Sequence, residues 1–288
     1  MKLQAMRVLL TGATGGIGRV IAQRLLEEGA NVLLVARDEA ALASLAQSLA
    51  FAGDRVHTHR ADLTQHAARA ALAEAARQWR GGINVLINNA GINPFSMYED
   101  LTAEQIDQVL AVNLQAPMHL CRDLLPWLKT RESAAIVNVG SVFGAIGYPG
   151  YVAYSASKFA IRGFTEALRR ELADSRVMVK HLAPRATLTA MNSSAVEEMN
   201  SRLEVTMDPP ERVARELIAL LKRRRHSAVV GWPEKAFVKV NALLPALVDR
   251  AVRGQLSTVR AFARRLRPSS GASGEIAHNA IPQEIFSK

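Results

Sequence analysis

Short apolar, β-branched runs alternate along this chain with longer stretches whose apolar residues recur every three or four positions. The runs Arg7–Thr11, Asn31–Ala36, Arg55–His59, Asn84–Asn88, Ala134–Gly140, Arg176–Ala183 and Ala228–Gly231 have strand length and composition. The intervening stretches Gly16–Glu28, Glu39–Phe51, Thr64–Trp79, Thr102–Leu128, Tyr151–Ala173 and Glu211–Arg224 carry helical periodicity. Seven strands joined by six crossover helices predict an α/β fold with a doubly wound, seven-stranded parallel sheet. Such sheets bind ligands at the carboxyl ends of their strands, where the strand order reverses. Met191–Pro210 lacks periodicity and reads as a loop or short helix able to close over a bound molecule. After Gly231 the alternation stops. Glu234–Val252 and Gln255–Leu266 read as helices, with Pro245 as a break or a new start, and a Ser/Gly-rich stretch from Pro268 begins a flexible tail. The chain therefore divides into residues 1–233 carrying the sheet, a helical C-terminal extension over 234–267, and the tail 268–288.

The 288 residues are 49% hydrophobic, enough for one large core. Cys121 is the single cysteine, which excludes an intramolecular disulfide and any zinc site needing several thiolates; it reads as a small buried hydrophobe. The seven histidines show no metal-ligand spacing, and no metal is expected. No signal peptide is visible, and the longest mostly apolar stretch, Ala236 to Val248, is too short to span a bilayer and is interrupted by Lys239 and Asn241. A cytoplasmic protein is expected. The net charge of +10 changes this picture locally. Lys222 to Arg267 holds twelve basic and two acidic residues, so the remainder of the chain is neutral.

The first strand runs into Thr11-Gly12-Ala13-Thr14-Gly15-Gly16-Ile17-Gly18 and then directly into a helix. Gly12, Gly16 and Gly18 permit a tight turn and close backbone approach, and the helix start offers free N–H groups to a pyrophosphate. In that context a Rossmann-type dinucleotide site is expected. The second strand ends in Ala36-Arg37 rather than in an acidic residue. An arginine suits the 2′-phosphate of NADP, so NADP(H) is the expected cofactor.

Tyr154-Ser155-Ala156-Ser157-Lys158 opens a helix that sets Tyr154 and Lys158 one turn apart on one face. A phenol titrates near pH ~10. A neighbouring ammonium and a nicotinium ring are expected to lower that value and make Tyr154 a usable general acid or base. Tyr151 lies two turns from Lys158 and pairs less well. Ser141, just after the strand Ala134–Gly140, falls at the carboxyl edge of the sheet, where its hydroxyl can hold a substrate carbonyl oxygen.

Gly-x-x-x-Gly-x-Gly at 12–18, Asn88-Asn89-Ala90-Gly91, Ser141 and Tyr-x-x-x-Lys at 154–158 together resemble the short-chain dehydrogenase/reductase family, over about Arg7 to Gly231. The resemblance implies that Asp62, with Leu63 beside it, contacts adenine, that Asn88 steadies the central strand, and that Ala90 and Gly91 line the ribose side. It implies that Asn113 is a fourth catalytic residue, its backbone carbonyl holding a water that links Lys158 to solvent. Lys158 would also bind the nicotinamide ribose. It further implies cofactor contact at Thr14, Gly15, Ile17, Asn89, Tyr154, Pro184, Thr187 and Thr189. The family's glycine after Pro184 is replaced by Arg185, which would contact a cofactor phosphate, contact an acidic substrate group, or point to solvent. The implied activity is NADP(H)-dependent interconversion of a ketone or aldehyde and its alcohol. Phe95, Met97, Phe143, Tyr148 and Met191 hint at a hydrophobic substrate. The alternative is a noncatalytic NADPH-binding module at a membrane surface. The family also implies a homodimer or homotetramer through Thr102–Leu128 and Tyr151–Ala173.

The basic excess has two readings. Lys222-Arg223-Arg224-Arg225 ends a helix, where cations suit the dipole. Further on, Leu256, Val259, Ala263 and Leu266 share one helical face with Phe262 beside it, and Arg260, Arg264, Arg265 and Arg267 flank it. Such a helix can lie on an anionic membrane or dock on its own domain or a second subunit. Nucleic acid is not an expected partner, since no reading-head motif or aromatic platform accompanies the charge.

Overall fold

The computed structural model describes residues 2–266. Seven parallel strands lie in the order β3-β2-β1-β4-β5-β6-β7. They are β1 (Arg7–Thr11), β2 (Asn31–Ala36), β3 (Val56–Arg60), β4 (Val85–Asn88), β5 (Ala134–Val139), β6 (Val177–Ala183) and β7 (Ser227–Val229). The order reverses between β1 and β4, which opens a crevice at their carboxyl ends.

Alternate residues face opposite sides, and both sides are covered. Val8, Leu10, Val32, Leu34, Val85, Ile87 and Val137 form one core with α1 (Gly16–Glu27), α2 (Glu39–Ser48) and α8 (Pro210–Lys222). Leu9, Leu33, Val35, Leu86 and Ile136 form the other with α3 (His66–Gln78), α5 (Ala116–Lys129) and α6 (Val152–Glu171). Burial on both faces explains why the inner strands β1, β2, β4 and β5 read as continuous apolar runs, while the edge strand β3 does not.

Two helical expectations are corrected. The stretch Thr102–Leu128 is not one helix. It comprises α4 (Ala103–Leu110), a π turn over Ala111–Gln115, and α5. Pro117 has no N–H to return to the carbonyl of Asn113, so the regular ladder fails there, and Ala116 N–H reaches back to Ala111 instead. In the C-terminal extension Pro245 is the new start expected of it, between α9 (Glu234–Leu243) and α10 (Pro245–Arg265), but the interruption expected before Gln255 is absent. Pro245 starts α10, where a missing N–H costs nothing. Gly254 stays inside the helix. Its penalty of about 1 kcal/mol is outweighed by burial of Val248, Val259 and Phe262, each contributing roughly 1.5–3 kcal/mol.

Between β6 and α8 the chain forms a short helix, α7 (Ser194–Arg202), capped by Ser193. A bridge between Thr187 and Asp208 closes the base of this excursion. α10 packs on it, burying Val259 and Phe262 against Met199 and Tyr151. The apolar face of the basic helix is thus covered by the protein's own domain. Leu266, expected on that face, is exposed, and the tail from 268 lies outside the described residues.

Candidate active site

Gly12 has φ +63°, and a β-carbon there would lie 2.7 Å from Ala90 Cα, so β1 and β4 meet at a contact only glycine permits. Asn89 fastens it: its amide donates to the carbonyls of Thr11 and Gly12, both at 3.1 Å. Thr11 Oγ1 accepts from Asn89 N and Ala90 N. α1 begins at Gly16 with no side chain capping it, leaving its first N–H groups for an anion. Gly15 is exposed, and Thr14 and Ile17 line the same turn. Thr189 is brought over it, its Cγ2 only 2.8 Å from where a Gly16 β-carbon would stand. This cradle fits a dinucleotide pyrophosphate.

At the outer end of the crevice Arg37 is exposed just after β2. The neighbouring Arg60, at the end of β3, donates from Nε to Arg37 O at 3.2 Å. Asp38 caps α2 through Ala41 N at 2.9 Å. The Asp62 carboxylate accepts from the amide and hydroxyl of Thr64, which shapes the turn before α3, and Leu63 is buried beneath.

Ser141, Tyr154, Lys158 and Asn113 converge at the inner end. Ser141 follows β5 and caps a short 3-10 turn through Phe143 N at 3.1 Å, and its hydroxyl lies near enough to Tyr154 to lower the phenol's pKa. Lys158 is buried, with Nζ 5.5 Å from the centre of the Tyr154 ring. Its ammonium donates to Val139 O at 3.0 Å. Asn113, in the π turn, pairs with both backbone groups of Ile92 at 2.9 Å and donates to Ser157 Oγ at 3.1 Å. Gly91 completes the group: a β-carbon there would lie 3.3 Å from Asn113 Oδ1 and 3.7 Å from Lys158 Nζ.

The protein's own side chains do not by themselves acidify the phenol. Burial pushes Tyr154 up to about 12, opposed only by the nearby Ser141 hydroxyl. Burial also pulls Lys158 down to about 8, so the ammonium sits close to neutral titration and is engaged with a carbonyl rather than with the phenol oxygen.

Three residues were not anticipated: Asn138, Thr165 and Ser157. Asn88 Nδ2 donates to Asn138 Oδ1 at 2.8 Å, and Asn138 Nδ2 to Thr165 Oγ1 at 2.9 Å. This buried chain ties β4 and β5 to α6, the helix that carries Tyr154 and Lys158. Asn138 is a lone amide in an otherwise apolar strand, and that was its signal. Ser157 supports Asn113 as described.

Pro184 is buried and accepts from Val142 N at 2.9 Å, holding the end of β6 to the turn after Ser141. The Thr187 hydroxyl donates to Arg185 O at 2.9 Å. Arg185 meets none of its three expected fates. It is buried and paired with Asp208 and Glu234. A cavity of about 320 Å³ opens beside Gly91, lined by Ile92, Asn93, Pro94, Gln105, Gln108 and Met191. Its lining mixes carboxamides with apolar groups. Phe95, Phe143, Tyr148, Tyr151 and Tyr154 form an adjoining aromatic wall.

The crevice and cradle define a nicotinamide-dinucleotide-binding protein of the oxidoreductase class. Residues 6–200 match the family model for short chain dehydrogenases, and the chain belongs to the short-chain dehydrogenase/reductase family. It is similar to a D-β-hydroxybutyrate dehydrogenase of Cupriavidus necator, 33% identical over 88% of this chain and 96% of that one. An acetoacetyl-CoA reductase of Acinetobacter is 35% identical over 72% of this chain and 84% of that one. A family member from Burkholderia phymatum solved with NAD superposes with a TM-score of 0.78 at 26% identity, covering 86% of this chain and 96% of that one. One from Burkholderia cenocepacia solved with NADP gives 0.75 at 26%, covering 88% and 99%. The protein is an oxidoreductase acting on alcohol and carbonyl groups with a nicotinamide cofactor. Among the described residues no helix is long and apolar enough to cross a membrane, and no cluster of His, Cys, Asp and Glu could hold a metal.

Proposed function

We propose that the protein reduces the 3-oxo group of an acyl compound to a 3-hydroxy group with NADP(H). The observation that carries this reading is buried Lys158, its Nζ 5.5 Å from the centre of the Tyr154 ring and close to Gly91, which lines a cavity together with Asn93, Gln105 and Gln108. Bound NADPH supplies the hydride. Ser141 and Tyr154 hold the substrate oxygen, and Tyr154 gives up its proton at Oη as negative charge develops there. A phenol held near 12 stays protonated at neutral pH, which suits the acid role in reduction. Lys158 keeps positive charge beside the phenol, and Asn113 orients the Lys158 surroundings through Ile92. The carboxamides of the cavity suit a second carbonyl two carbons from the first, and both named relatives act on such compounds. The aromatic wall suits the acyl chain.

The roles of residues 1–233 as catalytic domain and 234–266 as extension belong to the same reading. So does a homodimer through α5 and α6, where Met118, Val152 and Phe159 are exposed apolar side chains. The test is an assay of acetoacetyl thioesters against simple ketones, following NADPH and NADH consumption. Faster turnover of the 3-oxo compounds, lost in Tyr154→Phe while NADPH binding survives, is expected. Equal turnover of simple ketones, or full activity in Tyr154→Phe, would overturn it.

A further inference from the structure

We propose that the corner between α9 and α10 is a docking surface for an anionic lipid bilayer. α9 contributes no buried residue to the protein. Around the corner Leu243 is 80% exposed, Leu244 57% and Leu247 59%, with Trp232 and Phe237 also exposed nearby in the chain. Five large apolar side chains in sixteen residues is more than the scattered exposure of an ordinary surface.

The charge lies alongside. α10 buries Val248, Val259, Phe262 and Ala263 along one stripe. At 100° per residue Arg250, Arg253, Arg260 and Arg264 fall together on the opposite face. All four are exposed, and among the described residues none has an acidic partner. Glu234, one of only two acidic residues between Lys222 and Arg267, is engaged by Arg185. An apolar edge continuous with a row of unpaired cations is the chemistry that lies in a lipid interface, with leucines entering the acyl boundary and guanidinium groups on the phosphates and carboxylates of the headgroups.

Other occupants fit less well. A two-fold contact with a second copy would set the same arginines against each other. A nucleic acid would engage the arginines and leave the leucines in water. The docked helix is fastened to the candidate site. Tyr148 donates to Gln255 Oε1 at 2.6 Å, Asn241 donates to Ala145 O at 2.8 Å, and Val259 and Phe262 pack on Met199. Docking therefore holds the mouth of the site near the lipid.

The test is co-sedimentation of the full chain with vesicles of phosphatidylcholine alone and of phosphatidylcholine mixed with phosphatidylserine. Truncation within α10 is unsuitable, since it removes Val259 and Phe262 from the core. Two surface variants replace it: Arg250→Gln, Arg253→Gln, Arg260→Gln and Arg264→Gln together, and Leu243→Ser, Leu244→Ser and Leu247→Ser together. The wild type is expected to bind the mixed vesicles, more weakly as salt rises. The arginine variant should lose up to about 1000-fold in partitioning and the leucine variant at least about tenfold, with thermal unfolding unchanged in both. Equal binding to both vesicle types, or unaltered binding by either variant, overturns the proposal. So does a dimer in sedimentation velocity that the leucine variant abolishes, or tighter salt-dependent binding to duplex DNA than to the vesicles.

Discussion

Arg185 Nη2 lies 2.6 Å from Asp208 Oδ1, and both side chains are almost fully buried. The same guanidinium reaches Glu234 at 3.1 Å, and Asp208 also accepts from Arg212 at 2.9 Å. Asp208 bonds by its backbone to Ala186 and Leu188. The network thus clamps both ends of the segment carrying α7 and joins them to the start of α9.

Removing Arg185 leaves Asp208 buried with only the half-exposed Arg212 for a partner. Arg185→Met should destabilise the protein by about 3–5 kcal/mol in denaturant unfolding. Arg185→Met combined with Asp208→Asn should recover much of that loss, because the fully buried charge at Asp208 is gone and Glu234, which also loses Arg185, is partly open to solvent. A loss under about 0.5 kcal/mol in the single variant, the size expected of a solvated surface arginine, would refute the clamp.

Cofactor choice should depend on two arginines rather than one. Arg37 and Arg60 stand side by side at the ends of β2 and β3, and the nearby carboxylate of Asp38 is committed to the α2 cap. Each charge-assisted contact to a 2′-phosphate is worth about 1.5–3 kcal/mol. Arg37→Ser with Arg60→Ser should lower kcat/KM for NADPH about 100-fold or more and change that for NADH little. Parallel losses with both cofactors would show that neither arginine reads the phosphate.

The sheet was legible because parallel strands buried on both faces leave unmistakable apolar runs, and the observed ends differ from the expected ones by a residue or two. The glycine turn was equally legible, since Gly12, Gly16 and Gly18 each stand where a β-carbon would collide. The π turn at Asn113 was hidden. Helical periodicity runs straight through it, and Pro117 was its one local mark. The partners of Arg185 lie 23 and 49 residues away, and no local pattern reports an ion pair closed by the fold. The phenol's surroundings were only partly legible for a similar reason. Spacing along a helix shows that Lys158 is near Tyr154, but not that Val139 O takes its ammonium.

Acid sensitivity should trace to His181. Its ring is wedged beside Gly140, where a β-carbon would lie 2.2 Å from Nε2, and that nitrogen is buried without a partner. Burial, followed by the charges of Lys158 and Arg162, lowers its pKa to about 4. The unfolded chain, titrating near 6.5, then binds more protons than the folded one between these values. Stability should fall as pH drops from about 6.5 towards 4, by up to about 3 kcal/mol from this residue. His181→Gln should flatten the decline in unfolding experiments across that range. An unchanged slope would mean that other groups govern acid unfolding.

Lys158 should set activity and stability against each other at alkaline pH. Its folded pKa of about 8 lies below the ordinary 10.5 because the ammonium is buried. The charged form is therefore strained in the folded protein, and the penalty is complete below about 8. As pH rises from 8 to 10.5 the unfolded chain holds the extra proton and the penalty disappears. Relative to Lys158→Met, the wild type should gain about 3 kcal/mol across this interval, a difference that cancels the titration of every other group. Reduction should move the opposite way. Neutral Lys158 no longer supports negative charge at the Tyr154 oxygen, so kcat/KM should decline above pH 8 while Tyr154, held near 12, stays protonated. Parallel unfolding curves and a pH–rate profile of the wild type would reveal both trends. A rate that holds steady to pH 10 would show that the ammonium's charge plays no part in proton transfer.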